Sequence, residues 1–119
     1  FAYEATKAAY TPDGAEWRRQ MLAYVWENVA FVEAYLRERL PKVKVYRPQA
    51  SFLVWLDCRG LGLSHDELIQ LFVDRARLAL NDGAMFGHEG TGFMRLNVGC
   101  PRATLQTALD RLTEAVNGK

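Results

Sequence analysis

Gly92-Phe93-Met94-Arg95-Leu96-Asn97-Val98 reads as a strand with a guanidinium in its middle, and it runs through Gly99-Cys100-Pro101-Arg102 into a helix. Alternate residues of a strand face opposite ways. Met94, Leu96 and Val98 therefore make one apolar face, assigned to a helix-packed core, while Phe93, Arg95 and Asn97 share the other. A charge in such a place needs a partner, because a guanidinium taken from water must recover its lost hydration from acceptors. Periodicity leaves two sources open. One is an Asp or Glu of the chain, as an internal salt bridge; the other is a planar anion on which Arg95 and Asn97 converge. Arginine can hold a carboxylate through two parallel N–H···O bonds, each contributing roughly 1.5–3 kcal/mol, in a fork geometry that lysine lacks.

Working outward, the stretch before this strand, Asp82 to Gly90, is a glycine-rich loop entered from a short extended run, Leu78 to Leu80. Upstream of that, Ser64-His65-Asp66-Glu67 opens a helix with a capping box. Arg59 to Leu63 is a loop. Ser51 to Cys58 is a strand apolar at almost every position, which predicts cover on both faces. Val43 to Tyr46 is a shorter strand. A long amphipathic helix spans about Ala15 to Leu40, with Trp17, Met21, Tyr24, Val25, Val32, Tyr35, Leu36 and Leu40 at spacings of three and four. Pro41 stops it. Thr11-Pro12-Asp13-Gly14 is a turn signal after a possible helix tail, Phe1 to Tyr10. The last helix opens with Pro101 in its first turn and exits near Asn117-Gly118. The order helix, strand, strand, helix, strand, strand, helix predicts an α+β (α/β sandwich) domain, a small mostly antiparallel sheet covered by helices.

A chain of 119 residues, half of them hydrophobic, is long enough for one real core. Its 15 basic and 14 acidic residues are spread along the chain, which argues against a nucleic-acid stripe or a membrane-binding face. No apolar run approaches the roughly 20 residues that cross a bilayer. Cys58 and Cys100 lie far apart without metal-ligand spacing and read as reduced thiols of a cytoplasmic protein, with a disulfide as the lesser alternative. The opening at Phe1, in what reads as the middle of a helix, predicts a piece of a longer chain.

Other chemistry is thin. His65 sits in the first turn of a capped helix and is expected to be solvated; His88 is expected to be exposed and mobile. Neither has a Cys or carboxylate partner at ligand spacing, so no metal site is expected. Neither cysteine has a neighbouring activating base. The loop glycines Gly83, Gly87, Gly90 and Gly92 match no nucleotide fingerprint and precede a strand, where such fingerprints precede a helix. They are read as sites of positive φ and of close backbone approach.

Several segments together resemble a known family. Phe93-Met94-Arg95-Leu96-Asn97-Val98-Gly99-Cys100-Pro101-Arg102 is similar to the C-terminal signature of pyridoxal-phosphate enzymes of the class I/II aminotransferase superfamily (fold type I), nearest to the cystathionine β-lyase-like MalY/PatB branch. Gly14-Ala15-Glu16-Trp17 opening the long helix, Asn28 within it, and Pro48-Gln49-Ala50-Ser51-Phe52-Leu53-Val54-Trp55-Leu56-Asp57-Cys58-Arg59 agree in order. Asn81-Asp82-Gly83-Ala84-Met85-Phe86-Gly87 takes the place of the family's Gly-x-x-Phe-Gly loop, with Asp82 where many relatives have proline. The resemblance covers essentially the whole chain.

It implies that Arg95 binds the α-carboxylate of an amino-acid substrate, that Phe86 and Gly87 lie near the active-site mouth, and that Asn97 supports Arg95 or the strand edge. It also implies a pyridoxal 5'-phosphate cofactor held by a large domain upstream. Residues 1–14 would be the helix tail and linker from that domain, and 15–119 the small C-terminal domain. None of Lys7, Lys42, Lys44 and Lys119 has the setting of the lysine that carries the cofactor, so no catalytic or cofactor-binding residue is expected here and the chain alone should be inactive. The implied activity is C–S lysis by β-elimination on a small L-amino acid such as cystathionine. An aminotransferase is the first alternative, and a non-catalytic binding or regulatory module is the alternative from another class. Relatives are homodimers, and the apolar surface left by a missing large domain predicts self-association of the chain.

Overall fold

In the computed structural model, which describes residues 1–118, Thr11 starts the dominant helix rather than a turn. Its hydroxyl accepts from the amide of Gly14 at 3.1 Å, and Pro12 takes the first helical position, where a missing N–H costs nothing. Helix α1 (Ala2–Ala9) precedes it with no buried residue. Helix α2 (Pro12–Arg39) buries Val25, Asn28, Val29, Val32 and Leu36. The apolar stripe expected from Trp17 onward is therefore a core stripe only from Val25; Trp17 and Tyr24 are exposed.

Strand β1 (Lys44–Tyr46) and strand β2 (Leu53–Asp57) form an antiparallel pair. After a 3₁₀ turn at Arg59–Leu61 comes helix α3 (His65–Gln70). Both bonds of its capping box are present: Ser64 Oγ accepts from the Glu67 amide, and Glu67 Oε2 from the Ser64 amide. The helix then widens into a π turn, Leu71–Arg75, closed by the Ala76 amide on the Leu71 carbonyl. This turn buries Phe72 completely and brings Arg75 to cap the Ala115 carbonyl.

The fourth extended element lies further on than expected. Leu78–Leu80 is not a strand; strand β3 is Asn81–Asp82. Strand β4 (Phe93–Asn97) sits between β2 and β3, giving an antiparallel sheet in the order β1-β2-β4-β3. Helix α4 (Arg102–Asn117) closes the chain, with Gly118 in the left-handed conformation that ends it.

Met94, Leu96 and Val98 of the β4 segment, with Val54 and Leu56 of β2, pack in one core with Leu36 of α2, Leu68 of α3 and Leu105, Leu109 and Leu112 of α4. The alternation expected for β4 therefore holds. Cover on both faces of β2 does not: Leu53 and Trp55 are only half-buried, because the helices that form this core lie against one face.

One polar residue belongs to the core. Asn28 is fully buried, its Nδ2 donating to the carbonyls of Val98 (2.8 Å) and Cys100 (2.9 Å) and its Oδ1 accepting from Arg102 Nε (2.6 Å). These bonds pin the turn from β4 into α4. Pro101 makes no side-chain cap there, and Tyr24 Oη accepts from the Arg102 amide at 2.7 Å instead.

Candidate functional site

The outer face of the sheet carries Arg95 between two strands: Trp55 of β2 lies directly across from it on one side and Asn81 of β3 on the other. Arg95 Nη2 donates to Asn81 Oδ1 at 2.9 Å. The guanidinium carbon stands 4.5 Å from the centre of the Phe86 ring, a cation–π distance. Phe86 meets Trp55 edge-on at 5.9 Å between ring centres, and Trp55 stacks on Phe93 at 5.6 Å. Arg95 thus rests on an aromatic floor that limits where its head can go.

Among the described residues no carboxylate lies within ion-pair distance of Arg95. The internal salt bridge is not what this structure holds. Arg95 Nε is buried without an acceptor, and the only hydrogen bond of its five N–H groups to the described residues is the one to Asn81. A buried donor left unpaired in a native fold calls for an explanation, and an acceptor supplied from outside the chain is one.

Phe86 is half-exposed and ends a 3₁₀ turn, Gly83–Phe86, whose first amides are capped by Asp82 Oδ1 accepting from Ala84 at 2.8 Å. Gly87 joins that turn to a second one, His88–Gly90, with φ +135°, a conformation nearly confined to glycine. The loop folds back so tightly that a Cβ on Gly83 would fall 2.3 Å from the Gly90 carbonyl oxygen. Asn97 does not reach Arg95; its Oδ1 accepts from the Gly99 amide at 2.8 Å and shapes the turn after β4. A short polar side chain two residues before a glycine favours that local bond over a lateral reach along the strand.

His65 also departs from expectation. It is largely buried rather than solvated, with Nδ1 accepting from the Gly92 amide at 3.1 Å and Nε2 2.8 Å from Asp82 Oδ1, close but not aligned as a straight hydrogen bond. His88 is exposed, as expected. Asn81 and Trp55, quoted only within longer segments, and His65, expected to be solvated, are the members of this region to which the amino-acid sequence assigned no role. All three are brought to the site by cross-strand or long-range pairing, for which no local pattern exists.

At the other end of the outer face, Asp57 is 8% exposed and receives two side-chain bonds from Arg59, which hold its carboxyl below the usual carboxylate range. Burial pushes the Cys58 thiol up to about 12 and raises that of Cys100, so neither is poised as a thiolate. Both are free. Among the described residues no group of three or more His, Cys, Asp or Glu side chains gathers for a metal ion. Lys7 pairs with Glu4 on α1, and Lys42 and Lys44 line a cleft with Asp57 and Arg59 on the β1 side of the sheet. Lys119 lies outside the described residues.

No family model matches the chain. Cystathionine β-lyase PatB of Bacillus subtilis is 43% identical over 117 residues, 98% of this chain and 30% of the relative. Protein MalY of Escherichia coli is 32% identical over 115 residues, 97% of this chain and 29% of the relative. Among solved structures, cystalysin from Treponema denticola, which contains a pyridoxal 5'-phosphate cofactor, superposes with a TM-score of 0.92 at 26% identity, covering 98% of this chain and 29% of that one. The chain spans 29–30% of the length of these relatives. Sequence and sheet order agree: the chain matches the C-terminal part of the MalY/PatB cystathionine β-lyases and has the fold of the C-terminal domain of fold type I pyridoxal-phosphate enzymes.

Proposed function

We propose that this chain is the carboxylate-binding domain of a pyridoxal-phosphate-dependent C–S lyase that acts on L-amino acids of the cystathionine type. The observation that carries the reading is Arg95: a guanidinium held on an aromatic floor, with one bond to Asn81, a buried unpaired Nε and no carboxylate partner among the described residues. In this reading Arg95 grips the substrate α-carboxylate. Phe86 and Trp55 keep the fork from swinging, and Gly87 lets the loop turn back at the mouth of the site. Asn97 acts on the backbone alone. Bound pyridoxal phosphate would supply an electron sink for the charge that develops at Cα when its proton leaves, a charge consumed as the Cβ–S bond breaks. Fixing the carboxylate fixes the orientation of the bonds at Cα, and positioning of this kind can lower a barrier by several kcal/mol.

Residues 15–119 are the small domain and residues 1–14 the tail and linker from a large domain that holds the cofactor and its lysine. The full-length protein is a cytoplasmic homodimer in this reading, which the free Cys58 and Cys100 thiols suit. The clamp holds a group that does not react, so it serves β-elimination and amino transfer alike.

The test is Arg95→Ala in the full-length enzyme, assayed for pyruvate and ammonia released from cystathionine and for amino transfer to a keto acid. Loss of two charge-assisted bonds predicts a fall in kcat/KM of about 100-fold or more, with Arg95→Lys recovering only part of it. A fall below about fivefold, under roughly 1 kcal/mol, would sink the clamp and favour a binding module. Amino transfer without pyruvate release would replace the lyase with an aminotransferase.

A further inference from the structure

Asp82 and Gly92 bracket the loop that carries Phe86, and a single imidazole touches both. His65 stands in the first turn of α3, far from this loop in sequence, and its side chain is 20% exposed. Its Nδ1 accepts from the Gly92 amide, and its Nε2 stands 2.8 Å from Asp82 Oδ1, in contact though without the alignment of a hydrogen bond. The same Asp82 oxygen accepts from the Ala84 amide and so caps the turn that ends at Phe86. Gly83 and Gly90 meet backbone to backbone within the loop, leaving little freedom once its ends are held. Phe86 then lies against the Arg95 guanidinium.

We propose that His65 is a positioning residue: by holding both ends of the 82–92 loop it keeps Phe86 against Arg95, and so keeps the guanidinium ready for a carboxylate. The proposal rests on the reading of Arg95 as the carboxylate clamp. It gives a role to Asp82, whose carboxylate both caps the turn that ends at Phe86 and lies in contact with the imidazole of a neighbouring helix. His65 touches neither substrate nor cofactor. It acts through Phe86.

A structural role and a positioning role predict different things. Simple loss of folded protein lowers the active fraction and leaves ligand affinity where it was. Loosening the floor under Arg95 weakens binding of any amino-acid carboxylate. The experiment compares His65→Ala and His65→Asn with the parent in the full-length holoenzyme; asparagine keeps an acceptor at the place of Nδ1. Two quantities are read: hydrogen exchange of the amides of residues 83–92, and the dissociation constant for L-alanine from the change in cofactor absorbance. His65→Ala is expected to speed exchange in this segment and to weaken L-alanine binding by about fivefold, the scale of one lost hydrogen bond, with His65→Asn restoring most of both. Unchanged exchange in His65→Ala, or L-alanine binding within twofold of the parent, overturns the proposal. Neither readout needs C–S cleavage, so a protein that proved not to be a lyase would still decide the role of His65. Failure of the clamp would show separately, as unaltered L-alanine binding in Arg95→Ala.

Discussion

The two faces of the sheet are built from the same strands by the same alternation, yet they hold opposite kinds of order. On the inner face Val54, Leu56, Met94, Leu96 and Val98 are at most 7% exposed and are packed by three helices. On the outer face Trp55, Phe93, Arg95 and Asn81 hold one another by rings and single hydrogen bonds, with a charged donor left open. In the function proposed above, neighbouring residues of one strand thus divide the work between folding and recognition. A site on the back of a core gains rigidity from that core, because its strands cannot shift without disturbing close-packed side chains.

The division can be broken by trading substitutions across the sheet. Leu56→Ala should cost about 2–5 kcal/mol in urea unfolding, since a fully buried leucine leaves a cavity that its neighbours fill only partly. Asn28→Ala should follow at about 1–3 kcal/mol, from the Val98 and Cys100 carbonyls and the Arg102 Nε–H left without their partner. Trp55→Ala, one residue from Leu56 on the other face, should cost only about 1–2 kcal/mol from two lost ring contacts. In the full-length enzyme it should weaken carboxylate binding more than Leu56→Val does. Equal stability losses for Trp55→Ala and Leu56→Ala would end the division of labour.

Two smaller effects sharpen it. The carboxyl of Asp57 is lowered chiefly by side-chain bonds from Arg59, whose guanidinium covers the Phe93 ring at 4.7 Å. A depressed carboxylate contributes stability in full above its ordinary value near 4 and loses it as pH falls through the lower folded value. Stability between pH 6 and pH 2.5 should therefore decline more steeply in the parent than in Asp57→Asn, modestly so because Arg59 is 62% exposed. Smallest of all, Arg77 holds φ at +57°, on neither face of the sheet. Arg77→Gly removes a left-handed strain of roughly 1–2 kcal/mol against a backbone-entropy cost of about half that, for a net gain below about 1 kcal/mol by thermal unfolding.

Where the amino-acid sequence could be read, the reason was local. Met94, Leu96 and Val98 announce the buried side of β4 by parity, and Ser64 with Glu67 announces α3 by capping. Arg95 stood out because a charge in an apolar strand has few explanations. The misses share a different cause. The π turn at Leu71–Arg75 differs from an α-helix by one residue per turn, which no short pattern betrays. β3 at Asn81–Asp82 exists only because β4 pairs with it, so Leu78–Leu80 was the better strand by composition and the wrong one by register. His65 looked like an ordinary first-turn residue because Gly92 and Asp82, which bury it, lie many residues away. The outer face of β2 reads as buried for a related reason: Leu53 and Trp55 are apolar, but the helices of this chain lie on the other side.

The first fully buried residue of α2 is Val25; before it, from Pro12 to Tyr24, the helix keeps only edge contacts, Met21 packing against the core and Tyr24 bonding the Arg102 amide, while Trp17 is exposed. Thirteen residues of α-helix are roughly 20 Å of stiff rod, and they help to stretch the molecule to 49 Å against 29 and 23 Å in its other directions. Mechanically this is a lever with its fulcrum at Val25 and Val29, clamped beside the strand that carries Arg95 through Asn28 and the Val98 carbonyl. A tilt of about 10° at the fulcrum sweeps the Pro12 end through about 3 Å.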